Sequence, residues 1–457
     1  MKKLFYLLAF FFPIIAFAQQ NRCKSLPLDY IWMNVGNACF SEGQAQYTSL
    51  AFSPSGEPYV AYEGGKANVM KFDGTNWVNV GNGYFSASIT KYTSLAFSPS
   101  GQPYVAYGDY DVSYKATVMK FDGTNWLNVG NAGFSAGETE YTSLAFSPSG
   151  QPYVAYMDYG NSSKATVMKF DGTNWVNVGA EGFSPGEAHY TSLAFSPSDG
   201  KPYVAFGDYG TSHKTNVMKF DGTNWVYVGI ANFSAVAATN LSLAFSPSGQ
   251  PYLAYENDNY PFKASVMKFD GTSWMNVGND GFSSGEADYT SLAFSPSGEP
   301  HVAFCLYENG RKATVMKFDG TNWVNVGNAG FSFGTAFYTS LAFSLSGQPY
   351  VAYEDYGHYT DQATVMKFDS VFTGISEQLQ SQISLYPNPA TDNITVEISA
   401  ITEESNLAIV NVEGQELIRQ KITNCKTQVD ISNLPCGIYF LKLTSEQIVL
   451  VEKLIKD

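Results

Sequence analysis

The chain has 457 residues; 16% of them are aromatic, only 15% are charged, and the formal net charge is −15 at pH 7. A surface of this sign repels phosphate groups, which argues against nucleic acid as a partner. Few charges and many aromatic residues favour an extracellular β protein, and no apolar run is long enough to cross a bilayer as a helix.

The first 18 residues have the three parts of a secretory signal peptide. Lys2 and Lys3 supply the positive charge, residues 4–15 form an apolar core, and residues 16–18 fit the A-x-A cleavage pattern. We therefore predict a signal peptide over residues 1–18, which is cleaved near Ala18 during export.

Seven copies of Val-Met-Lys-Phe-Asp follow at intervals of 49 or 50 residues. They begin at Val69, Val118, Val167, Val217, Val266, Val315 and Val365. A period of this length indicates a propeller, a solenoid or another repeat array. Each repeat holds four short runs of β-branched and aromatic residues, separated by Gly, Pro, Asn and Asp, as expected for strands and tight turns. Four strands in each of seven repeats predict a seven-bladed β-propeller.

The two ends of the repeat array complement each other. The last repeat stops at Asp369 without a tryptophan strand, whereas residues 30–36 form a tryptophan strand without a repeat before it. We therefore predict that the N-terminal strand completes the last blade and closes residues 29–369 into a ring, which leaves no exposed sheet edge at either end. A Phe-Ser pair recurs in every repeat, and seven identical positions favour packing between blades.

The C-terminal part of the sequence has a different character. Residues 370–382 are polar and form a predicted linker, and from residue 383 the repeat is absent. Short strand-like runs, with turns at Glu413-Gly414 and Cys436-Gly437, predict a small antiparallel sandwich. The predicted fold is therefore all-β: a seven-bladed propeller followed by an Ig-like β-sandwich over residues 383–457.

Four motifs occur in order along this tail. They are LYPNPATD at 385–392, VEGQ at 412–415, LPCGIY at 434–439 and EKLIK at 452–456. With these motifs the tail resembles the type A C-terminal sorting domain of proteins exported by the type IX secretion system of Bacteroidota. The matching positions that we single out are Pro387, Asn388, Pro389, Gly414, Gly437, Lys453 and Lys456. The resemblance implies that residues 383–457 engage the type IX translocon and that the protein is secreted or held at the outer-membrane surface.

The loops of the predicted propeller differ between its two faces. The turns that join strands one to two and three to four are nearly identical in all repeats, whereas the loops on the opposite face vary in sequence and length. Binding residues collect in loops on a rigid scaffold. The variable face is therefore the predicted working face.

An Asp-Tyr pair recurs on this variable face. The pairs are Asp109-Tyr110, Asp158-Tyr159, Asp208-Tyr209 and Asp355-Tyr356. A carboxylate beside an aromatic ring suits a sugar, which offers hydroxyl groups and an apolar C–H face, and it would equally suit a cation. The structural alternative is that the tyrosines cap the blade edge and the aspartates fix turns.

The sequence contains no recognisable catalytic constellation. Arg311 is the single arginine of the repeats, whereas a sialidase needs three to hold a carboxylate. The turn at residues 171–175 looks like a sialidase Asp-box, but its Asp-to-Trp spacing is one residue short and its serine is missing. Four histidines, at positions 189, 213, 301 and 358, show no metal-ligand spacing. Paired carboxylates of the kind used in glycoside hydrolysis remain an alternative, because Asp and Glu are common on the variable face.

These observations predict a non-enzymatic, monomeric binding protein that needs no metal or cofactor. An extracellular glycan is the first candidate ligand. A protein on another cell surface is the alternative, and a polysaccharide-active enzyme is the less favoured one. For the five cysteines we consider two hypothetical pairs, Cys23–Cys39 and Cys425–Cys436, with Cys305 left over.

Overall fold

The computed structural model describes residues 28–258, 260–357, 361–372, 383–398, 405–412, 414–444 and 449–457. Two compact units are present, of which one is Tyr30–Asp369 and the other includes Ser370–Asp457. The predicted signal peptide and most of the predicted linker lie outside the described residues. In the described part, no helix has the length and apolarity needed to cross a bilayer.

The first unit is built from four-stranded antiparallel blades, as predicted. Strand β1 (Leu28–Asn34) precedes blade 1, which contains β2 (Gln46–Phe52), β3 (Pro58–Glu63), β4 (Ala67–Phe72) and β5 (Trp77–Asn79). Blade 2 contains β6 (Thr90–Phe97), β7 (Pro103–Asp109), β8 (Lys115–Phe121) and β9 (Trp126–Asn128). Blade 3 contains β10 (Thr139–Phe146), β11 (Pro152–Asp158), β12 (Lys164–Phe170) and β13 (Trp175–Asn177).

The remaining blades repeat the same order of strands. Blade 4 contains β14 (Ala188–Phe195), β15 (Pro202–Asp208), β16 (Lys214–Phe220) and β17 (Trp225–Tyr227). Blade 5 contains β18 (Ala238–Phe245), β19 (Pro251–Asn257), β20 (Ala264–Phe269) and β21 (Trp274–Asn276). Blade 6 contains β22 (Ala287–Phe294), β23 (Pro300–Leu306), β24 (Lys312–Phe318) and β25 (Trp323–Asn325). Blade 7 contains β26 (Ala336–Phe343), β27 (Pro349–Asp355) and β28 (Gln362–Phe372).

The N-terminal strand closes the ring. Blade 7 has the strand order β1-β28-β27-β26, so β1 supplies its outer strand. The backbone N–H of Val35, directly after β1, donates to the carbonyl of Val365 at 2.9 Å. On the inner side, β2 lies beside β26, as the first strands of other neighbouring blades lie beside each other. The predicted closure by the N-terminal strand is therefore confirmed.

One tryptophan per blade locks neighbouring blades together. Each indole N–H donates to a valine carbonyl of the adjoining repeat at 2.6–2.7 Å, for example from Trp175 to Val129. Each indole also stacks on the phenylalanine of a Phe-Ser pair, with ring centroids 4.0–4.4 Å apart, as Trp175 does on Phe134. The repeated Phe-Ser pair is thus an inter-blade packing element, as predicted.

Two glycines of blade 2 separate backbone strain from close packing and allow a matched test. Gly130 has φ +70°, and a Cβ added there would lie 2.9 Å from Cε2 of Phe170, whereas Gly123 has φ +107° and open space around it. We expect Gly123→Ala to lower the free energy of unfolding by about 1–2 kcal/mol through strain alone. Gly130→Ala should cost about 1–3 kcal/mol more, because the added methyl group overpacks the blade interface.

Urea denaturation of the two variants measures this difference. Equal losses would show that the Gly130 contact has room for a methyl group.

The second unit is a two-sheet sandwich, which confirms the predicted Ig-like domain. One sheet has the order β29 (Ile383–Tyr386), β30 (Asn393–Ile398), β33 (Lys426–Asp430). The other has the order β32 (Glu416–Ile422), β31 (Ser405–Val410), β34 (Gly437–Thr444), β35 (Val449–Lys456). Fully buried apolar side chains from both sheets, such as Ile394, Leu407 and Leu441, form its core.

The sorting motifs contact each other within this sandwich. The Asn388 side chain donates to the carbonyl of Lys453 at 2.8 Å and accepts from the N–H of Ile455 at 2.9 Å. The PNP segment is thereby tied to the last strand. Gly414 has φ +82°, which the turn between β31 and β32 requires.

Neither of the two hypothetical cysteine pairs is present. Cys425 is disulfide-bonded, but Cys436 is free and exposed, so the pairing of these two was wrong. Cys39 is also free, and Cys23 lies outside the described residues. The two residues are close in the sequence, but Cys425 directly precedes β33 and Cys436 follows it, so the strand separates them. Cys305 is free and buried.

Candidate ligand site on the variable loop face

The Asp-Tyr pairs lie where the second strand of a blade ends. In blades 2, 3 and 4 the tyrosine begins a short 3-10 helix: η1 (Tyr110–Val112), η2 (Tyr159–Asn161) and η3 (Tyr209–Thr211). The aspartate before each helix is its N-cap and accepts from a backbone N–H at 3.0–3.2 Å. In blade 7, Asp355 accepts from the N–H of Gly357 at 2.9 Å. The aspartates therefore fix the turn, which was the structural alternative for these residues.

The two residues of each Asp-Tyr pair differ in their exposure to solvent. The aspartates Asp109, Asp158, Asp208 and Asp355 are at most 5% exposed. The tyrosines Tyr110, Tyr159, Tyr209 and Tyr356 are 46–54% exposed. The predicted ligand-binding pairs thus present a phenol ring to solvent and keep the carboxylate inside the loop.

Blade 6 carries a fifth tyrosine at the same place. Tyr307 begins η4 (Tyr307–Asn309) and is 50% exposed, although Leu306 replaces the aspartate. Arg311 lies over its ring, 4.8 Å from the centroid. The Asp-Tyr pattern does not include Tyr307, but its position in the repeat is the same as that of the paired tyrosines. We call the five exposed side chains the rim tyrosines: Tyr110, Tyr159, Tyr209, Tyr307 and Tyr356.

The rim tyrosines contact polar groups that differ from blade to blade. The Tyr159 hydroxyl donates to Oε1 of Glu140 at 3.3 Å. Tyr209 stacks on His189 with centroids 5.5 Å apart, and His213 meets Tyr209 edge-on at 4.4 Å. Each rim position therefore combines a similar aromatic surface with its own polar neighbours.

A second ring of aromatic residues surrounds the propeller axis. It consists of one residue near the start of each inner strand: Tyr47, Tyr92, Tyr141, Tyr190, Tyr289 and Tyr338, with Asn240 in blade 5. All seven have φ of 50–56°, and each lies at a β-bulge where the inner strand shifts register against the second strand. We call the six aromatic members the axial tyrosines. With the residues that follow them they line a cavity of about 230 Å³.

The axial tyrosines contact one another except in blade 5. Neighbouring ring centroids are 4.6–5.0 Å apart from Tyr289 through Tyr338, Tyr47, Tyr92 and Tyr141 to Tyr190. The threonine that follows an axial tyrosine donates to the carbonyl of the preceding one, as Thr93 does to Tyr47 at 2.7 Å. In blade 5, Asn240 and Leu241 replace Tyr-Thr, so the circle of axial tyrosines is interrupted there. Leu241 has no hydroxyl group to donate to the carbonyl of Tyr190.

Five carboxylates lie next to the axial positions at the variable face: two directly precede one in the chain, and three pair across the sheet with the residue that does. We call Glu63, Glu140, Glu256, Asp288 and Glu354 the mouth carboxylates. Burial is the main cause of the raised pKa of the axial tyrosines Tyr47, Tyr190 and Tyr338, and the charges of these carboxylates raise it further. The axial hydroxyls therefore stay protonated at neutral pH and can serve as hydrogen-bonding groups, not as phenolate bases.

Burial also changes the mouth carboxylates themselves. It raises the pKa of Glu63, Glu256 and Glu354 to about 7. Glu256 is 8% exposed and accepts from Thr239 at 2.9 Å and from Asn240 at 2.7 Å. With pKa values near 7, these carboxyl groups change their charge when the pH changes around neutrality.

Metal binding and direct acid–base chemistry have little support from the predicted pairs. In the described part of the chain, no three His, Cys, Asp or Glu side chains are grouped so that they could hold a metal ion. The paired aspartates are at most 5% exposed and accept hydrogen bonds from the N–H groups of their own turns. Of the groups described above, the rim tyrosines are half-exposed and the axial tyrosines line a cavity.

Comparison with known proteins identifies the C-terminal unit. Residues 384–457 match the family described as Secretion system C-terminal sorting domain. Karilysin from Tannerella forsythia is 30% identical over 87 residues, which are 17% of this chain and 18% of karilysin. The chain thus spans less than a fifth of the curated relative that it matches. The C-terminal sandwich is a type IX sorting domain, as predicted, and the protein is secreted cargo of that system.

The comparison with solved structures concerns the fold. The extracellular domain of a protein described as a hybrid two component system, from B. thetaiotaomicron, has a TM-score of 0.53 and 11% identity. The match covers 95% of this chain and 60% of that one. At this identity the likeness shows a shared fold alone.

Proposed function

We propose that this secreted propeller is a multivalent binding module whose rim tyrosines take extracellular carbohydrate. The observation that carries the proposal is the repeated, rigid presentation of a half-exposed phenol ring at the ends of five blades. A sugar can stack its C–H face on such a ring and hydrogen-bond to the hydroxyl and the polar groups beside it.

Rigidity supports this function. The buried aspartates hold the turns in one conformation before a ligand arrives, so little conformational entropy is lost on binding. Tyrosine adds a large contact area with only two side-chain torsions, which also keeps that loss small.

Repetition supports binding to a polymer or a dense surface. Rim tyrosines in blades 2, 3, 4, 6 and 7 let one molecule engage several units of a repeating glycan. The linked sites then bind with an avidity that exceeds the affinity of each site. Removing one rim tyrosine should therefore lower the apparent affinity only slightly, whereas removing several should lower it strongly.

A glycan array probed with the full mature chain tests the proposal. We expect binding to at least one glycan, and a variant with Tyr110, Tyr159, Tyr209 and Tyr356 changed to Ala should lose at least about 100-fold in apparent affinity, because avidity is lost with the sites. Tyr227→Ala is the matched control, since Tyr227 is 38% exposed but lies on an outer strand.

The outcomes separate the candidate functions. Wild-type glycan affinity in a folded variant that lacks these four tyrosines would contradict the proposed role of the rim tyrosines. Failure of the wild-type chain to bind any glycan would favour a protein ligand, and the same variant pair would then be compared in binding to intact cell surfaces.

A further inference from the structure

The mouth of the axial channel has a chemistry different from that of the rim. Six axial tyrosines line the cavity, and the five mouth carboxylates, from blades 1, 3, 5, 6 and 7, lie next to this lining in chain order or strand register. Positively charged side chains are few there: Lys91 lies beside Glu63, and Arg311 lies beside Asp288. The cavity itself is lined by tyrosine, threonine, Asn240 and Leu241, and the acidic groups next to that lining outnumber the basic ones.

Glu354 is the most telling of these groups. It is only 3% exposed, and its Oε1 is buried without a hydrogen-bond partner among the described residues, although Gln44 and the backbone of Ala45 lower the pKa of this carboxyl through hydrogen bonds. Glu354 lies opposite Phe337, the residue directly before the axial Tyr338, and its charge acts on both Tyr338 and Tyr289. A buried carboxylate oxygen without a donor is costly, so its position favours a ligand that donates to it.

Glu63 adds a second oxygen of the same kind. Its Oε2 is also buried and without a partner in the described part of the chain. The charge of Glu63 acts on Glu354 and on the axial Tyr47. Two acceptors without donors thus lie on one side of the mouth.

Glu256 and Asp288 form another carboxylate pair at the opening of the tyrosine ring. Each influences the protonation of the other, and Asn240 links Glu256 to the axial position of blade 5. Here the Tyr190 carbonyl lacks the threonine donor that the other blades supply. This side of the mouth is likewise rich in acceptors and poor in donors.

We propose that the axial mouth is a binding site for a primary ammonium group carried by a small, flexible molecule or chain end. An ammonium group has three N–H donors for the carboxylates and a positive charge that is attracted to the faces of the axial tyrosines. A thin alkyl amine fits a cavity of about 230 Å³. This site shares Glu140 with the rim, through the hydroxyl of Tyr159, but its other groups are distinct, so it stands whether or not the rim binds carbohydrate.

Isothermal titration of the full mature chain with putrescine tests the site. We expect binding of putrescine and none of 1,4-butanediol, which has the same length and two hydrogen-bonding ends but no charge. Glucosamine and glucose form a second pair that asks whether the amine can be carried by a sugar. If the ammonium group is the determinant, glucosamine should bind and glucose should not.

Matched variants locate the site. Glu354→Gln and Glu256→Gln keep the side-chain shape but remove the charge, and each should weaken putrescine binding at least about tenfold. Glu42→Gln removes an exposed carboxylate and should leave the affinity unchanged. The glycan binding of the rim should be unaffected by all three.

Four results would overturn the proposal. They are failure of putrescine to bind, equal binding of 1,4-butanediol, unchanged affinity in both folded Gln variants, and displacement of putrescine by micromolar calcium. The last result would show a site for an inorganic cation.

Discussion

Trp32→Ala is expected to lower the free energy of unfolding by about 3–5 kcal/mol, the range for truncating a buried aromatic residue. Trp32 is 8% exposed, its indole N–H donates to the carbonyl of Val326 at 2.7 Å, and it stacks on Phe331 at 4.0 Å. These partners lie almost 300 residues away along the chain. Loss of this one side chain therefore weakens the closure of the whole ring.

Chemical denaturation of the full chain, followed by circular dichroism, measures this effect. Ile31→Ala, on the same strand at 42% exposure, should change the free energy of unfolding by less than about 1 kcal/mol. Trp175→Ala tests a corresponding indole between blades 2 and 3, whose strands are consecutive in the chain. Wild-type stability in the Trp32 variant, or in a chain lacking residues 29–37, would contradict closure by β1.

The second large effect is a loss of stability as the pH rises from 5 to 8. Burial raises the pKa of Glu63, Glu256 and Glu354 from 4.5 to about 7, so the folded state holds these protons more tightly than the unfolded state does. Below pH 4.5 both states are protonated and the groups make no difference. Between pH 4.5 and 7 the unfolded state releases these protons while the folded state keeps them, so the free energy of unfolding falls by at most about 3 kcal/mol for each of Glu256 and Glu354 and levels off above pH 7.

Neighbouring charges reinforce the effect of burial at Glu256 and Glu354 and oppose it at Glu63. Asp288 and Glu286 oppose ionisation of Glu256, and Asp361 and Glu63 oppose ionisation of Glu354. Lys91 is the cation that favours ionisation of Glu63. Negative neighbours therefore dominate at both deeply buried carboxyls, in the same direction as burial.

Urea denaturation at pH 5, 6, 7 and 8 tests this prediction. The wild-type free energy of unfolding should fall from pH 5 to 7 and level off towards pH 8, and a Glu256→Gln, Glu354→Gln double variant should show a clearly flatter profile. Glu42→Gln should keep the wild-type slope because Glu42 is exposed. A slope that is unchanged in the double variant would show that other groups control the pH dependence.

Much of the fold could be read from the sequence because its period is explicit. The spacing of Val-Met-Lys-Phe-Asp gave the number of blades, and the isolated tryptophan strand around Trp32 gave the closure. In the tail, the sequence predicts strands at 394–398, 407–412, 428–431, 439–443 and 448–453, which do not include β29 or the edge strand β32 (Glu416–Ile422). Only Ile422 of this edge strand is buried, so its sequence lacks the alternation of apolar and polar residues that marks a strand.

The candidate site was predicted only in part. The Asp-Tyr pairs pointed to the correct loops, but a sequence cannot show whether a carboxylate faces solvent or the backbone N–H groups of its own turn. Burial of Asp158, for example, follows from the cap that it makes on η2. From the sequence, the axial tyrosines are indistinguishable from other strand residues. The bulge that gives Tyr141 a positive φ arises from the pairing of its strand with the neighbouring strand, which residue order does not show.

The sequence by itself determined the repeat, the export route and the packing residues of the blades, because each of these depends on local pattern and spacing. Only the tertiary structure decided which polar groups meet. Glu63 and Glu354 are far apart in the chain and come together because the ring closes between blades 7 and 1. A site of this kind depends on distances in space and on the exclusion of water, and neither can be read from residue order.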